Sequence, residues 1–398
     1  MLKLLNRLLF ASIIIFVIGD ILRKVAIYHN LEFIRYTAIS KSIVLVLYII
    51  VLIVFFKSYY SYKTTRKIIY SIIILCAVYF LGQLCLNDND LGLNLFNKNN
   101  LIFSRYIYWP FTILVFYPLL TSTKFVNKQF KLYEYFFLFN AVLIILSLIF
   151  SFTLFKTYFN PQRFGYMGVF NTHNQASYAF ILFILYYYYN GIFKKENTLK
   201  LLFVILVSLL IGTKKIYLFL ILLCLYHFVK FKLWNKRNTY IQAASLLILG
   251  IIFLPIIKNK FQLFIDIYNE RGIITSLFSY RDDLLISTMN NTVKSDWSAL
   301  NYFLGGPKFY ESRTEFGILD LYLFFGIMGL LIYYKLFKLF YNLTDNNKFY
   351  LFGLIVIGFV AMLAEGFFSS ANQPLIFVLI SATFISYSKK NIDEDAQP

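Results

Sequence analysis

Long apolar runs alternate with short polar breaks along almost the whole chain. A run of about 20 mostly apolar residues is long enough to cross a bilayer as a helix. On that rule the pattern predicts twelve spans, near 8–22, 42–56, 68–86, 102–121, 136–155, 174–190, 199–213, 216–231, 241–257, 317–340, 349–364 and 374–388. The runs at 199–213 and 216–231 are split only by Thr213, Lys214 and Lys215, which predicts a tight hairpin. One stretch interrupts the rhythm. Residues 258–316 form the only long polar segment, and its apolar pieces FQLFIDIY, GIITSLFSY and RDDLLISTM predict short helices. Loops of that length in a compact protein are usually functional or disordered. The expected fold class is all-α: a polytopic membrane protein with about 12 transmembrane helices and one large outer loop carrying short helices. Helices 1–9 occupy residues 1–257, the loop 258–316, and helices 10–12 with a cytoplasmic tail 317–398, all within one integral membrane domain.

Basic residues orient the spans, because Lys and Arg collect in short cytoplasmic loops. With the N-terminus inside, the inner segments are YKTTRK (62–67), TKFVNKQFK (123–131), FKKENTLK (193–200), KFKLWNKR (230–237), the stretch from Lys335 to Lys348 and SKK (388–390). All are basic. The intervening loops 87–100 and 365–373 hold one Lys and none. Loop 23–41 disagrees: it carries Arg23, Lys24, Arg35 and Lys41 yet falls outside, and is expected to lie flat at the interface. Both termini are expected in the cytoplasm.

Composition agrees with this class. The 398 residues are 60% hydrophobic and only 14% charged, too apolar for a soluble domain of this length. The net charge of +19 does not indicate nucleic acid, since the basic residues are spread over the loops and form no single patch. Cys76, Cys85 and Cys224 lie in or beside apolar runs, without ligand spacing, so neither a disulfide framework nor a metal site is suggested. Lys3 and Arg7 precede an apolar stretch with no small-residue cleavage site, which reads as a retained first span.

The outward polar groups carry the candidate chemistry. Arg163, Lys214, Lys215, Arg271, Arg281 and Arg313 all face outward, against the inward preference of cations. Such a set suits an anion, and the planar fork of Arg suits phosphate oxygens in particular. The plainer alternative is contact with lipid headgroups or with nearby acids; Arg313 has Glu311 and Glu315 as neighbours. Gly165 and Gly168 would allow a tight path beside a ligand. Asn174 and Gln175 open span six, where Asn171 or Thr172 would cap the helix and free N–H groups would face an anion. His173 is placed to act as acid or base, or simply to hydrogen-bond. Asp320 lies just inside an apolar helix, where a carboxylate is a functional candidate by default. Glu365 sits at an outer helix end in the same way. No nucleotide-binding or metal-hydrolase motif is present.

Four segments, in order, bring a family into view: RFGYMGVFNTHNQASY (163–178), LLIGTKKIYLFLILL (209–223), SYRDDLL (279–285) and FLGGPKFYESRTEFGILDLYLFFGIMGLLIYY (303–334). Together they resemble the O-antigen ligase and polymerase superfamily, most closely the Wzy-type polysaccharide polymerases. The first is similar to that family's arginine, glycine and asparagine ahead of a helix. The second resembles its TGSR turn, with Lys214 where the family has Arg; a lysine is a point charge without the fork. The third and fourth resemble its large-loop GR segment and its loop end. The resemblance covers roughly residues 160 to 340.

It implies a metal-independent, inverting glycosyltransferase without cofactor. Such an enzyme joins oligosaccharide repeats carried on undecaprenyl pyrophosphate at the outer face of the membrane, alongside a flippase and a chain-length regulator. On this reading Arg163, Lys214, Arg281 and Asp320 belong to the chemistry. Lys215, Arg313, His173, Asn174 and Glu315 hold the substrate. Asp282, Asp283, Glu311, Glu315 and Asp320 are unranked candidates for the base. Ligases of the superfamily carry a histidine in the large loop; none stands between 258 and 316, which favours a polymerase. A flippase would place polar residues mid-span in several helices, whereas here they gather at one face.

Overall fold

The computed structural model describes residues 1–31, 35–86, 93–120, 122, 126–158, 163–233, 262–307, 313–345 and 347–395. The span expected at 241–257 and the acid Glu311 lie outside these residues. The regular elements described are helices, apart from a lone bridge between Lys156 and Tyr166. In order they are α1 (Leu2–Tyr28), α2 (Tyr36–Val54), α3 (Phe56–Ser61), α4 (Lys63–Leu84), α5 (Leu93–Leu120), α6 (Val126–Ile149), α7 (His173–Tyr188), α8 (Thr198–Leu209) and α9 (Lys214–Lys230). The long polar segment supplies α10 (Gln262–Phe278), α11 (Arg281–Thr288) and α12 (Asn301–Leu304). The chain closes with α13 (Gly317–Leu343), α14 (Lys348–Leu363) and α15 (Asn372–Asp395).

Among the described residues six helices are long and apolar enough to cross a membrane: α1, α2, α4, the stretch Lys128–Ile149 of α6, α7 with the turn that extends it to Phe193, and α13. Thr198–Leu209, Lys348–Leu363 and Asn372–Ser386 are shorter apolar helices. The outward faces explain the composition. On α2, Ile39, Ile43, Val46, Ile50 and Ile53 recur at helical spacing and are all exposed. A stripe of that size facing out is compatible with a lipid bilayer and costly in water.

Burial identifies the axis of the bundle. In the apolar window of α7, 83% of residues are buried, against 22% in α2, so α7 runs through the centre and α2 along the rim. Aromatic rings fill the space around α7: Phe183 stacks on Phe137 of α6 with centroids 3.9 Å apart. Two buried donors beside α7 find main-chain acceptors, as most such groups do in an apolar core. Tyr178 Oη donates to the Ala364 carbonyl at 3.0 Å, and Trp109 Nε1 to that of Phe367 at 2.8 Å. These two bonds pin the chain after α14 to the middle of the bundle.

Helix limits differ from the hydropathy pattern in two places. α1 runs to Tyr28 and α2 starts at Tyr36, so Lys24 and Lys41 lie within helices, where a broad loop was expected. α5 begins at Leu93, inside the expected loop 87–100. Its Asn99 finds a partner there, donating from Nδ2 to the Pro307 carbonyl at 3.0 Å.

Pro307 belongs to a clasp around a break in α13. The helix is interrupted at Gly326, whose backbone (φ 57°, ψ −160°) is closed to residues with a Cβ. The turn after α12 fills the break: Gly306 N donates to the Leu323 carbonyl at 2.9 Å. A Cβ at position 326 would strike the Phe303 carbonyl. Gly326→Ala is therefore expected to lose about 2 kcal/mol or more from backbone strain alone. Thermal unfolding in detergent checks this, and an unchanged midpoint would show that the clasp adapts.

Candidate functional site

The most buried helix ends in the most polar surroundings. At the N-terminus of α7, Thr172 Oγ1 accepts from Gln175 N at 3.2 Å, a cap that fixes where the helix starts. The hairpin turn between α8 and α9 docks beside it, with the Ser177 and Thr213 hydroxyls 2.8 Å apart. The loop carrying Arg163 lies across that turn. Tyr166 N donates to the Leu210 carbonyl at 2.8 Å, and Thr157 Oγ1 to that of Ile211 at 3.0 Å. The crossing needs glycine on both sides: Gly165 (φ 148°) faces the Ile211 carbonyl and Gly212 (φ 71°) that of Phe164, with no room for a Cβ. Arg163 is thereby held on the side of Lys214.

Glu365, in the turn after α14, stands at the centre. Its carboxylate pairs with Arg313 Nη1 at 3.5 Å and accepts from Asn174 Nδ2 at 3.5 Å. Its main-chain carbonyl accepts from Lys215 Nζ at 3.2 Å. The same ammonium bonds Asn174 Oδ1 and lies 4.6 Å from the centre of the Tyr178 ring. Arg281 opens α11; its Nε pairs with Glu315 at 3.3 Å and its Nη1 donates to the Leu363 carbonyl at 3.0 Å. Lys214 turns toward the end of α10, donating to the Ser276 and Leu277 carbonyls and to Ser279 Oγ. Arg163 stacks on Tyr158 at 5.2 Å, and Tyr158 lies against His173 with ring centres 5.4 Å apart.

Eight of the nine residues singled out from the sequence thus meet at one end of the bundle: Arg163, His173, Asn174, Lys214, Lys215, Arg281, Arg313 and Glu315. Asp320 is set behind them. Its Oδ1 accepts from Thr314 N at 2.7 Å and Thr314 Oγ1 at 2.9 Å, so it anchors the loop that delivers Arg313 and Glu315. Arg271 stands apart, exposed on α10. The sequence pattern did not assign three participants. Glu365 was visible only as an acid at a helix end, and the rings of Tyr158 and Tyr178 carried no signal beyond being aromatic.

The electrostatics favour an anion. Five cations (Arg163, Lys214, Lys215, Arg281 and Arg313) gather at this end; Arg281 pairs with Glu315 and Arg313 with Glu365, while Arg163, Lys214 and Lys215 are held by an aromatic ring, hydroxyl, amide and carbonyl groups. Lys214 and Lys215 precede the apolar part of α9, which starts at Ile216. Burial, with Arg281 adding to it against the pull of Glu365 and Glu315, lowers Lys215 to about 7. Burial lowers Lys214 to about 8, with Arg163 and Arg281 adding to the shift. Burial also raises the Tyr158 phenol, against the pull of the same two arginines. A bound oxyanion relieves both causes for the lysines, since it supplies opposite charge inside the desolvated cleft. Only the protonated ammonium attracts the anion, so affinity falls as each lysine loses its proton. A pyrophosphate diester, with constant charge over this range, is expected to bind more weakly as pH rises through about 7 to about 8. Titration of binding at several pH values checks this; flat affinity would remove the lysines from the site. Among the described residues no three His, Cys, Asp or Glu side chains converge as metal ligands.

Comparison with family models, with curated proteins and with solved structures returns no match.

Proposed function

We propose that this protein is a Wzy-type polysaccharide polymerase of a bacterial inner membrane. In this reading it crosses the membrane twelve times with both termini in the cytoplasm, and the cation cluster opens on the outer face. It joins oligosaccharide repeats carried on undecaprenyl pyrophosphate and releases undecaprenyl pyrophosphate. The observation that carries the proposal is the gathering of five cations, drawn from loop 163–172, the α8–α9 turn, the start of α11 and the loop before α13, beside the N-terminus of the central helix, where Glu315 and Glu365 each pair with one of them.

The reaction is a single displacement. The acceptor hydroxyl attacks the anomeric carbon of the donor sugar while the bond from that carbon to the pyrophosphate oxygen breaks. Inversion follows, and the hydroxyl proton passes to a carboxylate. Negative charge grows on the leaving pyrophosphate, where Arg163, Lys215 and Arg281 stabilise it in a poorly hydrated cleft. Lys214, held by α10, fixes the position of the long segment. We assign the base to Glu365, the carboxylate at the centre of the cluster; Asp320 is buried behind it, holding Thr314.

The test supplies the purified protein, in nanodiscs, with one repeat unit on undecaprenyl pyrophosphate and resolves the products by size. A ladder of longer glycans supports the polymerase. An authentic repeat unit that is bound but never extended removes it.

A further inference from the structure

A second group of cations lies at the same end of the bundle, on helices the site above does not use. Lys24 is on α1, Lys41 on α2 and Arg105 on α5. The three helices are locked together there. The Tyr108 hydroxyl bonds the Lys41 carbonyl, and Gly19 of α1 packs against Ser40 of α2. The same bond sets Arg105, one turn before Tyr108 on α5, beside the start of α2 that carries Lys41.

Asp20 does not discharge the group. Its Oδ2 accepts from Gln175 Nε2 at 2.7 Å and Asn372 Nδ2 at 3.1 Å, which turns the carboxylate toward α7 and α15. Buried Lys24 reaches the Leu154 carbonyl at 3.4 Å and the Phe155 ring at 5.7 Å. Among the described residues neither the Lys41 ammonium nor the Arg105 guanidinium has a carboxylate in ion-pair contact, and both remain partly exposed. Two like charges thus stand on neighbouring helices at the edge of an apolar bundle, and among the described residues no carboxylate, Asp20 included, is in ion-pair contact with either. Their repulsion and their partial desolvation both count against that arrangement. An oxyanion with several oxygens removes both costs. The guanidinium fork takes two of its oxygens and the ammonium a third.

We propose that Lys41 and Arg105 form a second oxyanion site that takes a phosphate or pyrophosphate group. The group belongs either to a lipid headgroup or to a soluble phosphate. The proposal does not rest on the polymerase reading, because any phosphate-bearing ligand satisfies the same two cations. The site is separate from the first but joined to it: Asp20 holds Gln175, and the neighbouring Asn174 holds Lys215.

The test uses the full chain in phosphatidylcholine nanodiscs. Inorganic pyrophosphate is titrated in one arm and farnesyl pyrophosphate is doped into the bilayer in the other. Bound equivalents are counted by calorimetry and by native mass spectrometry. The wild type is expected to bind two equivalents of at least one probe. Lys41→Gln with Arg105→Gln is expected to lose one of them or weaken it at least tenfold, whereas Arg281→Gln keeps it. Saturation by pyrophosphate identifies a soluble source, and saturation by the prenyl probe alone a lipid. Should the double variant fail to fold, Arg105→Gln alone carries the same comparison. Equal stoichiometry and affinity in wild type and variant, for both probes, overturns the second site.

Discussion

Arg281→Ala is expected to slow glycan extension by about a hundredfold or more while leaving the bundle folded. The geometry supplies the reason. Arg281 has five N–H donors. One points to Glu315 at 3.3 Å and one to the Leu363 carbonyl at 3.0 Å, which fixes the plane of the guanidinium and leaves the other donors for a ligand. A fork held in advance costs no reorganisation when charge appears on the leaving group. Arg281→Lys keeps the charge and loses the fork, so an intermediate rate is expected. Single-turnover kinetics separates the two contributions. A lower rate at saturating substrate places the interaction in the transition state, whereas a raised KM alone reduces Arg281 to general binding. Wild-type kinetics in a folded Arg281→Ala would remove the loop arginine from the chemistry.

The arginine was a candidate before any coordinates because it broke a rule that reads directly from sequence. Cations prefer the cytoplasmic loops, and Arg163, Lys214, Lys215, Arg281 and Arg313 all fell on the other side of the expected spans. Helical character was legible for a similar reason, since apolar runs of membrane length leave the backbone few alternatives. What stayed hidden were pairings between residues far apart in the chain. Glu365 meets Asn174 across 191 positions, and nothing in AEGFFSSANQ announces it. Loop 23–41 misled because Lys24 and Lys41 interrupt the hydropathy pattern; both continue their helices, and Lys24 reaches the Leu154 carbonyl, an acceptor that only the packed bundle supplies. Asp320 shows the converse. An acid just inside an apolar helix looked chemical, and its oxygen is taken by Thr314.

Asp20 went unremarked at the end of the first expected span, and its removal is expected to be the most damaging single change to the frame of the site. Its carboxylate is the shared acceptor for amides 155 and 352 positions away, Gln175 on α7 and Asn372 on α15. Gln373, beside Asn372, donates to the Gln175 carbonyl at 2.9 Å and closes the joint. In Asp20→Ala two buried donors lose their acceptor at once, at about 1–3 kcal/mol each. Asp20→Asn keeps one oxygen and is expected to lose roughly half as much. Because Gln175 adjoins Asn174, the alanine variant should also loosen Lys215 and lower pyrophosphate affinity at the first site. Thermal unfolding and pyrophosphate titration of both variants in detergent check the two effects together. If Asp20→Ala melted with the wild type and bound pyrophosphate unchanged, α1 would be a lipid-facing strut and the joint to α7 would carry no stability.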